Sequence, residues 1–201
     1  MANLKDIRNR IGSVKNTQKI TKAMEMVATA RLRKAQEAIR AMRPYSYKLR
    51  DVIGQLAARA DFSDHPLLEQ RNADRVEMLI FTSDRGLCGG FNSNVNRTTE
   101  RYIRENKEGH QSMALDIIGR KGQEYFKRRD TAPTNAYFAD VLTTVSLTRS
   151  GEIAEHVITN FIGKKLDAVY CVYNEFKSAM TQEVVVEQLL QILVELEIPL
   201  Q

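Results

Sequence analysis

The sequence predicts an α/β protein, with a long N-terminal coiled-coil helix followed by a mainly parallel sheet covered by helices. Three observations lead to this fold class. No glycine or proline lies between Gly12 and Pro44, and that run is rich in good helix formers. Apolar residues among the first sixty recur in steps of three and four, as in coiled coils. Farther along, β-rich runs alternate with helical segments, which is typical of a parallel sheet.

The helix predicted over residues 1–60 carries a heptad seam that indicates a partner helix. The seam is apolar at both ends and polar in its middle. Its residues are Leu4, Ile7, Ile11, Val14, Gln18, Thr21, Glu25, Ala28, Leu32, Ala35, Ile39, Met42, Ser46, Leu49, Ile53 and Leu56. Beside the polar middle, a second apolar stripe of Ile20, Met24 and Val27 lies on a different face. The helix is therefore expected to have more than one neighbour.

Charge is divided unevenly between the helix and the rest of the chain. Residues 1–60 carry fourteen Lys and Arg against four Asp and Glu, a net charge of +10. The remaining residues carry a net charge of −5, so the overall +5 combines a strongly basic helix with a mildly acidic domain. A basic helix favours an acidic partner: nucleic acid, an anionic membrane or an acidic protein surface.

We divide the chain into three parts. Residues 1–60 form the long basic helix, residues 61–75 a linker, and residues 76–201 the α/β domain. Pro44 lies late in the helix, where it removes a backbone hydrogen bond and predicts a kink and not an end, because the heptad resumes beyond it.

The domain after the linker is predicted from short β-rich runs with helices between them. Strands are predicted over residues 76–82, 114–118, 136–138 and 167–173, with a further β-rich run at 183–186 and an undecided segment at 189–196. The helices are predicted to begin at Asn92 or Ser93, at Gln123 and at Ser150, and to end near residues 107, 129 and 162.

The sequence contains no sign of a membrane-spanning helix, a signal peptide or a metal site. The chain has no 18-residue apolar run, and its first residues lack the apolar core of a signal peptide. Two cysteines, Cys88 and Cys171, fit a reducing compartment. None of the three histidines has metal-ligand spacing to another histidine or to a cysteine, so no metal site or other cofactor is expected.

A glycine-rich loop follows the first predicted strand, with the sequence SDRGLCGGFN over residues 83–92. It lacks the dinucleotide fingerprint, because Cys88 replaces the second glycine, and it lacks the lysine of a phosphate-binding loop. Two interpretations stay open. Gly86, Cys88 and Gly90 have the spacing of a nucleophile elbow, with His110 or His156 as the base. Alternatively, the glycines only serve the backbone angles of a tight turn.

Two motifs resemble the gamma subunit of rotary ATP synthases. They are residues 16–28, with the sequence NTQKITKAMEMVA, followed by residues 31–35, and the loop at 83–92. The motifs occur in the family's order, and the similarity extends over essentially the whole chain. The resemblance implies the central stalk of a proton-translocating ATP synthase, a rotor subunit that carries out no bond chemistry itself.

The resemblance also implies partners and contact residues. In the family, two long helices form an antiparallel coiled coil inside a collar of alpha and beta subunits, and the α/β domain contacts the epsilon subunit and the membrane ring of c subunits. The residues expected to face the collar are Lys19, Lys22, Met24, Arg31, Arg33 and Lys34. In the α/β domain, which forms the foot of the stalk in this family, the expected foot-loop residues are Asp84, Arg85, Gly86, Cys88, Gly89 and Gly90. No small-molecule substrate or nucleic acid is implied.

Further expectations concern location and length. The resemblance implies a peripheral protein at the cytoplasmic face of the bacterial cell membrane. It also implies a second long helix after the α/β domain, which these 201 residues are expected to lack. Two other functions stay open: a cysteine hydrolase that uses Cys88, and a nucleic-acid binder. The second is disfavoured because Lys and Arg interleave with the seam, whereas DNA-binding helices separate a basic block from the heptads.

Overall fold

The computed structural model describes residues 3–57, 65–69, 71–142, 146–178 and 180–190. The chain divides into two compact units, Met1–Arg59 and Ala60–Gln201. The first unit contains a single helix, α1 (Leu4–Ala57), which continues through Pro44. The prediction of one unbroken helix is confirmed, and its 54 residues correspond to about 81 Å at 1.5 Å per residue. Within the described residues, no helix is both long and apolar enough to cross a membrane.

The second unit contains a five-stranded sheet with helices between its strands. The strands are β1 (Arg75–Phe81), β2 (Ser112–Ile118), β3 (Thr134–Phe138), β4 (Ala168–Phe176) and β5 (Gln182–Leu190). The helices are α2 (Phe91–Asn106), α3 (Arg120–Phe126) and α4 (Leu147–Ile162), with short 3-10 turns at Pro66–Leu68 and Lys107–Gly109.

The sheet has the strand order β3-β2-β1-β4-β5. The first four strands pair in parallel, and β5 pairs antiparallel with β4. The predicted mainly parallel sheet is therefore confirmed. The order in which strands are added reverses at β1, because β2 and β3 lie on one side of it and β4 and β5 on the other.

Helices cover both faces of this sheet. Val76, Met78 and Ile80 of β1 point to the face covered by α2 and α3, where they join a core with Ile103 and Phe126. On the opposite face, α4 contributes the buried residues Ile153, Val157 and Phe161, which pack in two clusters against the sheet. Alternate residues of each strand thus enter different cores, as the two-residue period of a strand requires.

The opposite face also contains buried polar groups. Glu77 of β1 and Asp116 of β2 are almost fully buried, and His156 of α4 lies beside them. Burial raises the pKa of Asp116 to about 8, and the adjacent Glu77 carboxyl adds to the rise. Burial likewise raises the pKa of the Cys171 thiol to about 11.

Two predicted helix starts are wrong. Helix α2 begins after Gly90 and not at Asn92 or Ser93, because the Asn92 side chain bonds back to the preceding loop. Helix α4 is capped by Ser146 and not by Ser150, since the Ser146 hydroxyl accepts a hydrogen bond from the Arg149 N–H.

Other boundaries differ by a few residues. Helix α3 begins directly after Gly119, three residues earlier than predicted, and β2, β3 and β5 start earlier than their apolar runs. Gly163 ends α4 as predicted. The segment predicted at 189–196 belongs to β5 through Leu190, and the rest of it lies outside the described residues.

Candidate functional site

The six predicted collar-facing residues are all solvent-exposed on α1. At about 100° per residue, they separate onto two faces of the helix. Met24 belongs to the second apolar stripe. Arg31 and Lys34 extend that stripe, because they follow Val27 in steps of four and three residues. Lys19, Lys22 and Arg33 lie on a different face, which they share with Met26 and Glu37.

Exposure of apolar side chains on α1 is extensive. Ile20, Met24 and Val27 of the second stripe are 61%, 55% and 52% exposed. Along the seam, Leu4 is 69% exposed and Val14 is 66% exposed. Exposed aliphatic rows of this length are rare on isolated soluble proteins and mark interaction surfaces.

Arg33 is the one basic residue of the six collar-facing positions that forms an ion pair among the described residues. Its Nε donates to Glu37 Oε1 at 2.9 Å, one helical turn away. Both side chains are largely exposed, so this pair contributes little to stability. The pair reduces the positive charge at this point of the helix.

The glycine-rich loop lies at the carboxyl end of β1, between that strand and α2. This is the end of an open α/β sheet where the strand order reverses and where such sheets place their functional loops. The position agrees with the one expected from the sequence.

Hydrogen bonds within the loop centre on Asn92. Its Oδ1 accepts from the Ser83 N–H at 2.9 Å, and its Nδ2 donates to Ser83 Oγ at 2.9 Å. The same Nδ2 lies 3.1 Å from Cys88 Sγ, and Ser83 Oγ donates to the Arg85 carbonyl at 2.6 Å. Sequence reasoning missed Asn92 as the residue that closes the loop, because its type and position also fit a helix cap.

Asp84 connects the loop to neighbouring segments. Its Oδ1 accepts hydrogen bonds from the Arg120 N–H at 3.0 Å and from the Asp140 N–H at 3.5 Å. The Ser83 carbonyl accepts from the Lys121 N–H at 3.0 Å. The loop is therefore anchored to the start of α3 through its first two residues.

Only part of the loop requires glycine. Gly89 has a φ of +57°, in the left-handed region. Gly86 and Gly90 do not, and a Cβ at Gly86 would meet nothing within 4 Å. Leu87 also has a positive φ, of +61°, and its side chain is 97% exposed. The loop thus presents an apolar side chain at its tip, from a backbone conformation that leucine seldom adopts.

The structure brings no base to Cys88. Its sulfur lies near the Ser83 hydroxyl, the Arg85 carbonyl and the Asn92 amide, and none of its polar contacts among the described residues is a histidine or a carboxylate. His110 Nδ1 contacts the Ala73 carbonyl at 2.5 Å, and His156 lies beside Asp116. A nucleophile elbow requires a histidine within hydrogen-bond reach, so this geometry does not support the hydrolase hypothesis.

Comparison with known proteins agrees with the resemblance noted in the sequence. A protein-family model described as ATP synthase matches residues 3–198. The ATP synthase gamma chain of Geobacter metallireducens is 43% identical over 195 residues, which are 97% of this chain and 67% of that protein. This chain belongs to the ATP synthase gamma family. The gamma chain of Anaeromyxobacter sp. strain Fw109-5 is 45% identical over 195 residues, again 67% of its length.

Solved structures share the fold. The central stalk and c-ring structure of the Tetrahymena thermophila mitochondrial ATP synthase aligns with a TM-score of 0.59 at 24% identity, covering 85% of this chain and 72% of that chain. The rotor of the Euglena gracilis mitochondrial enzyme aligns with a TM-score of 0.59 at 21% identity, covering 91% of this chain and 61% of that chain. The fold is therefore that of an ATP synthase stalk subunit.

Family membership decides between the functions left open by the sequence. As a member of the gamma family, the chain is a non-catalytic rotor subunit of the central stalk. The hydrolase and nucleic-acid-binding alternatives receive no support from these relatives. The chain spans about two thirds of the length of the curated relatives that it matches.

Proposed function

We propose that this gamma-family chain transmits rotation of a membrane ring to the catalytic beta subunits of a proton-translocating ATP synthase. The observation that supports this role is α1, a 54-residue helix that exposes apolar and basic faces along its length. A helix of about 81 Å reaches farther than a small domain is wide. Such an element can carry motion between distant parts of a complex.

The seam of α1 is proposed to bind a second long helix. Ile7, Ile11, Ile39 and Ile53 of the seam are 47%, 50%, 40% and 45% exposed. Their spacing is that of a coiled coil, in which each apolar side chain inserts between residues of the partner helix. By resemblance, this partner is the C-terminal helix of a gamma subunit, which completes the shaft.

The other faces of α1 are proposed to contact the surrounding collar of alpha and beta subunits. The second stripe offers apolar contacts through Ile20, Met24 and Val27. The positions that we assign to charge contacts are Lys19, Lys22, Arg31, Arg33 and Lys34. Residues 1–60 carry a net charge of +10, which favours acidic loops on the partner. Contacts that are stronger in one rotational position than in another would couple rotation to the catalytic sites.

The α/β domain is proposed to form the foot of the stalk, in contact with an epsilon subunit and a ring of c subunits. The loop residues assigned to this end are Asp84, Arg85, Gly86, Cys88, Gly89 and Gly90. The exposed tip at Leu87 belongs to the same loop. The bacterial origin of its relatives supports our proposal that the protein lies peripherally at the cytoplasmic face of the cell membrane.

A triple substitution tests the proposed charge contacts of α1. We expect Arg31→Gln/Arg33→Gln/Lys34→Gln to weaken capture of the alpha and beta subunits by the tagged chain at low salt. Exposed ion pairs contribute about 0–1 kcal/mol each, so the three together correspond to a loss of up to about a hundredfold in affinity. Single variants should differ little from the parent chain. The measurement is quantitative co-purification at several salt concentrations, because salt screens such contacts.

A matched control removes three charges from an exposed face of the α/β domain. Arg97→Gln/Arg101→Gln/Arg104→Gln changes net charge equally but alters α2. This control should capture the subunits as well as the parent does. Equal capture by the parent and the α1 triple variant at low salt would refute the electrostatic contact. Failure of the parent chain itself to capture alpha and beta subunits would refute the collar interaction as a whole.

A further inference from the structure

Three ligand-type side chains from three different elements meet on the face of the sheet that α4 covers. Glu77 comes from β1, Asp116 from β2 and His156 from α4. One ligand atom of each lies within 4.8 Å of the others. They form the one such group of three among the described residues. The two carboxyls are 2% and 0% exposed, and the imidazole is 32% exposed, so the group is buried but reachable from one side.

The Asp116 carboxyl of this group lacks the hydrogen bonds that burial normally demands. Both oxygens of Asp116 are buried without a well-formed hydrogen bond to a donor among the described residues, and the Glu77 carboxyl and the Ala136 N–H lie close to them. The basic group beside Asp116 is the imidazole of His156, whose Nε2 lies 3.2 Å from Asp116 Oδ2. Neither carboxyl pairs with a lysine or arginine in the described part of the chain, whereas buried carboxylates are usually paired or bound to a metal.

Neighbouring amides hold the group in place. Asn135 Nδ2 donates to Glu77 Oε1 at 3.0 Å, and the Glu77 carboxyl also contacts that of Asp116. Asn160 Nδ2 lies 3.2 Å from His156 Nε2, and the Phe138 ring packs edge-on against the imidazole. The Asn135 hydrogen bond is of the outer kind that orients metal ligands in known sites, whereas Asn160 contacts the imidazole nitrogen that faces Asp116 and would give way to an ion there.

We propose that Glu77, Asp116 and His156 bind a divalent first-row metal ion, with Zn²⁺ as the ion that fits them best. Two carboxylate oxygens and one imidazole nitrogen suit Zn²⁺, whereas Mg²⁺ and Ca²⁺ prefer oxygen ligands alone. Ligands at about 2.0–2.2 Å from zinc stand about 3.4 Å apart in a tetrahedral site. The side chains would therefore close on the ion by rotamer adjustments of about an ångström. Two carboxylates also neutralise the charge of a divalent ion.

A polar pocket lies beside Glu77, and we infer that the ion reaches the site through it. It has a volume of about 350 Å³, and Glu77, Asn135 and Asn160 line it together with Ala114 and Ser112. Two basic residues, Arg75 and Lys165, also line this pocket. The Arg75 guanidinium is hydrogen-bonded to Asp167. A water molecule in the pocket can fill the fourth position of a zinc site that has three protein ligands.

The test is Zn²⁺ binding by the purified 201-residue chain after removal of metals by chelation. Because the exposed Cys88 thiol can also bind zinc, every measurement uses the Cys88→Ser background. We expect saturable binding of one ion, measured by competition with a chromophoric chelator, and a rise in melting temperature with Zn²⁺ but not with Mg²⁺. His156→Gln should weaken binding by at least tenfold and abolish the shift in melting temperature.

A second ligand variant and a matched control complete the test. Asp116→Asn removes charge from the buried ligand, and its zinc affinity should fall by a similar factor. His110→Gln removes an imidazole of the same domain that lies away from the group, and its zinc affinity should match the background. Absence of saturable zinc binding in the background, or equal affinity in the background and His156→Gln, would overturn the proposal. Neither result depends on whether the chain captures alpha and beta subunits.

Discussion

Gly119 occupies a position where two separate constraints exclude a side chain. Its φ is +92°, outside the range that other residues adopt comfortably. An ideal Cβ there would lie 1.9 Å from the carbonyl oxygen of Thr82. Gly119 and Thr82 lie this close because they directly follow the paired strands β2 and β1. The Thr82 N–H donates to the Ile118 carbonyl at 2.8 Å.

Replacement of this glycine should therefore be severe. We expect Gly119→Ala to lower the free energy of unfolding by at least about 3 kcal/mol, since strain and a backbone clash add together. Gly86→Ala is the control, because it meets no neighbour and has no positive φ, and it should change stability by less than about 0.5 kcal/mol. Urea denaturation measures both, and equal tolerance would contradict the backbone argument.

The pair of Arg75 and Asp167 joins the start of β1 to the segment before β4. Asp167 Oδ1 accepts from Arg75 Nη2 at 2.7 Å, and Oδ2 accepts from Arg75 Nε at 2.8 Å and from the Arg75 N–H at 3.0 Å. These hydrogen bonds hold the pKa of Asp167 below its usual value of 3.8, against the opposing effect of burial.

A lowered carboxyl pKa predicts a definite pH dependence. Because the folded state binds this proton less readily than the unfolded chain, the pair stabilises the fold above pH 3.8, and its contribution is lost as pH falls through the folded-state pKa. We expect the difference in melting temperature between the parent and Asp167→Asn to be large near neutral pH and to shrink in acid. Glu152→Gln, which breaks an exposed pair with Arg149, should have little effect at any pH. A difference that stays constant into acid would contradict the assignment.

At the scale of elements, the start of α4 shows which of two serines caps the helix. The sequence alone could not decide between them. The Ser146 hydroxyl accepts from the Arg149 N–H at 3.2 Å, which satisfies one of the free donors at the helix end. Ser150 lies inside the helix, where its hydroxyl donates to the Ser146 carbonyl at 2.8 Å.

The two serines should respond differently to alanine. We expect Ser146→Ala to lower the free energy of unfolding by about 1 kcal/mol, the usual effect of a lost cap. Ser150→Ala should be neutral to within about 0.5 kcal/mol, because alanine is the best helix former and no cap is lost. Urea denaturation with both variants measures the difference. A larger loss for Ser150→Ala would show that the helix begins where the sequence pattern predicted.

At the scale of the whole molecule, the exposed seam of α1 governs behaviour in solution. Burying each large aliphatic side chain is worth about 1.5–3 kcal/mol, and a lone helix in water gains most of its stability from packing. We therefore expect the 201-residue chain to self-associate, with a sedimentation coefficient that rises with concentration. Analytical ultracentrifugation measures this.

Matched variants distinguish the seam from exposed apolar surface in general. Ile11→Gln/Val14→Gln/Ile39→Gln should reduce self-association, because it interrupts the seam. Ile20→Gln/Met24→Gln/Val27→Gln removes similar apolar surface from the second stripe and should leave self-association unchanged. A parent chain that stays monomeric at every concentration would contradict the expectation.

Local patterns in the sequence were sufficient for the elements themselves. The unbroken run of helix formers and the heptad predicted α1, and short apolar runs identified β1, β2 and β4, because helix and strand periods are properties of neighbouring residues. The motifs at 16–28 and 83–92 also identified the family, since both lie in short continuous stretches. The contact roles assigned to the basic residues of α1 stay predictions.

Tertiary structure alone decided which residues meet. The closure of the loop by Asn92, the choice of Ser146 as a cap and the need for glycine at 119 depend on backbone groups brought together by folding. Glu77, Asp116 and His156 are also far apart in the sequence, and each side chain comes from a different element. Spacing along the chain could not reveal their grouping: the parallel register of β1 and β2, and the packing of α4 above them, set those distances.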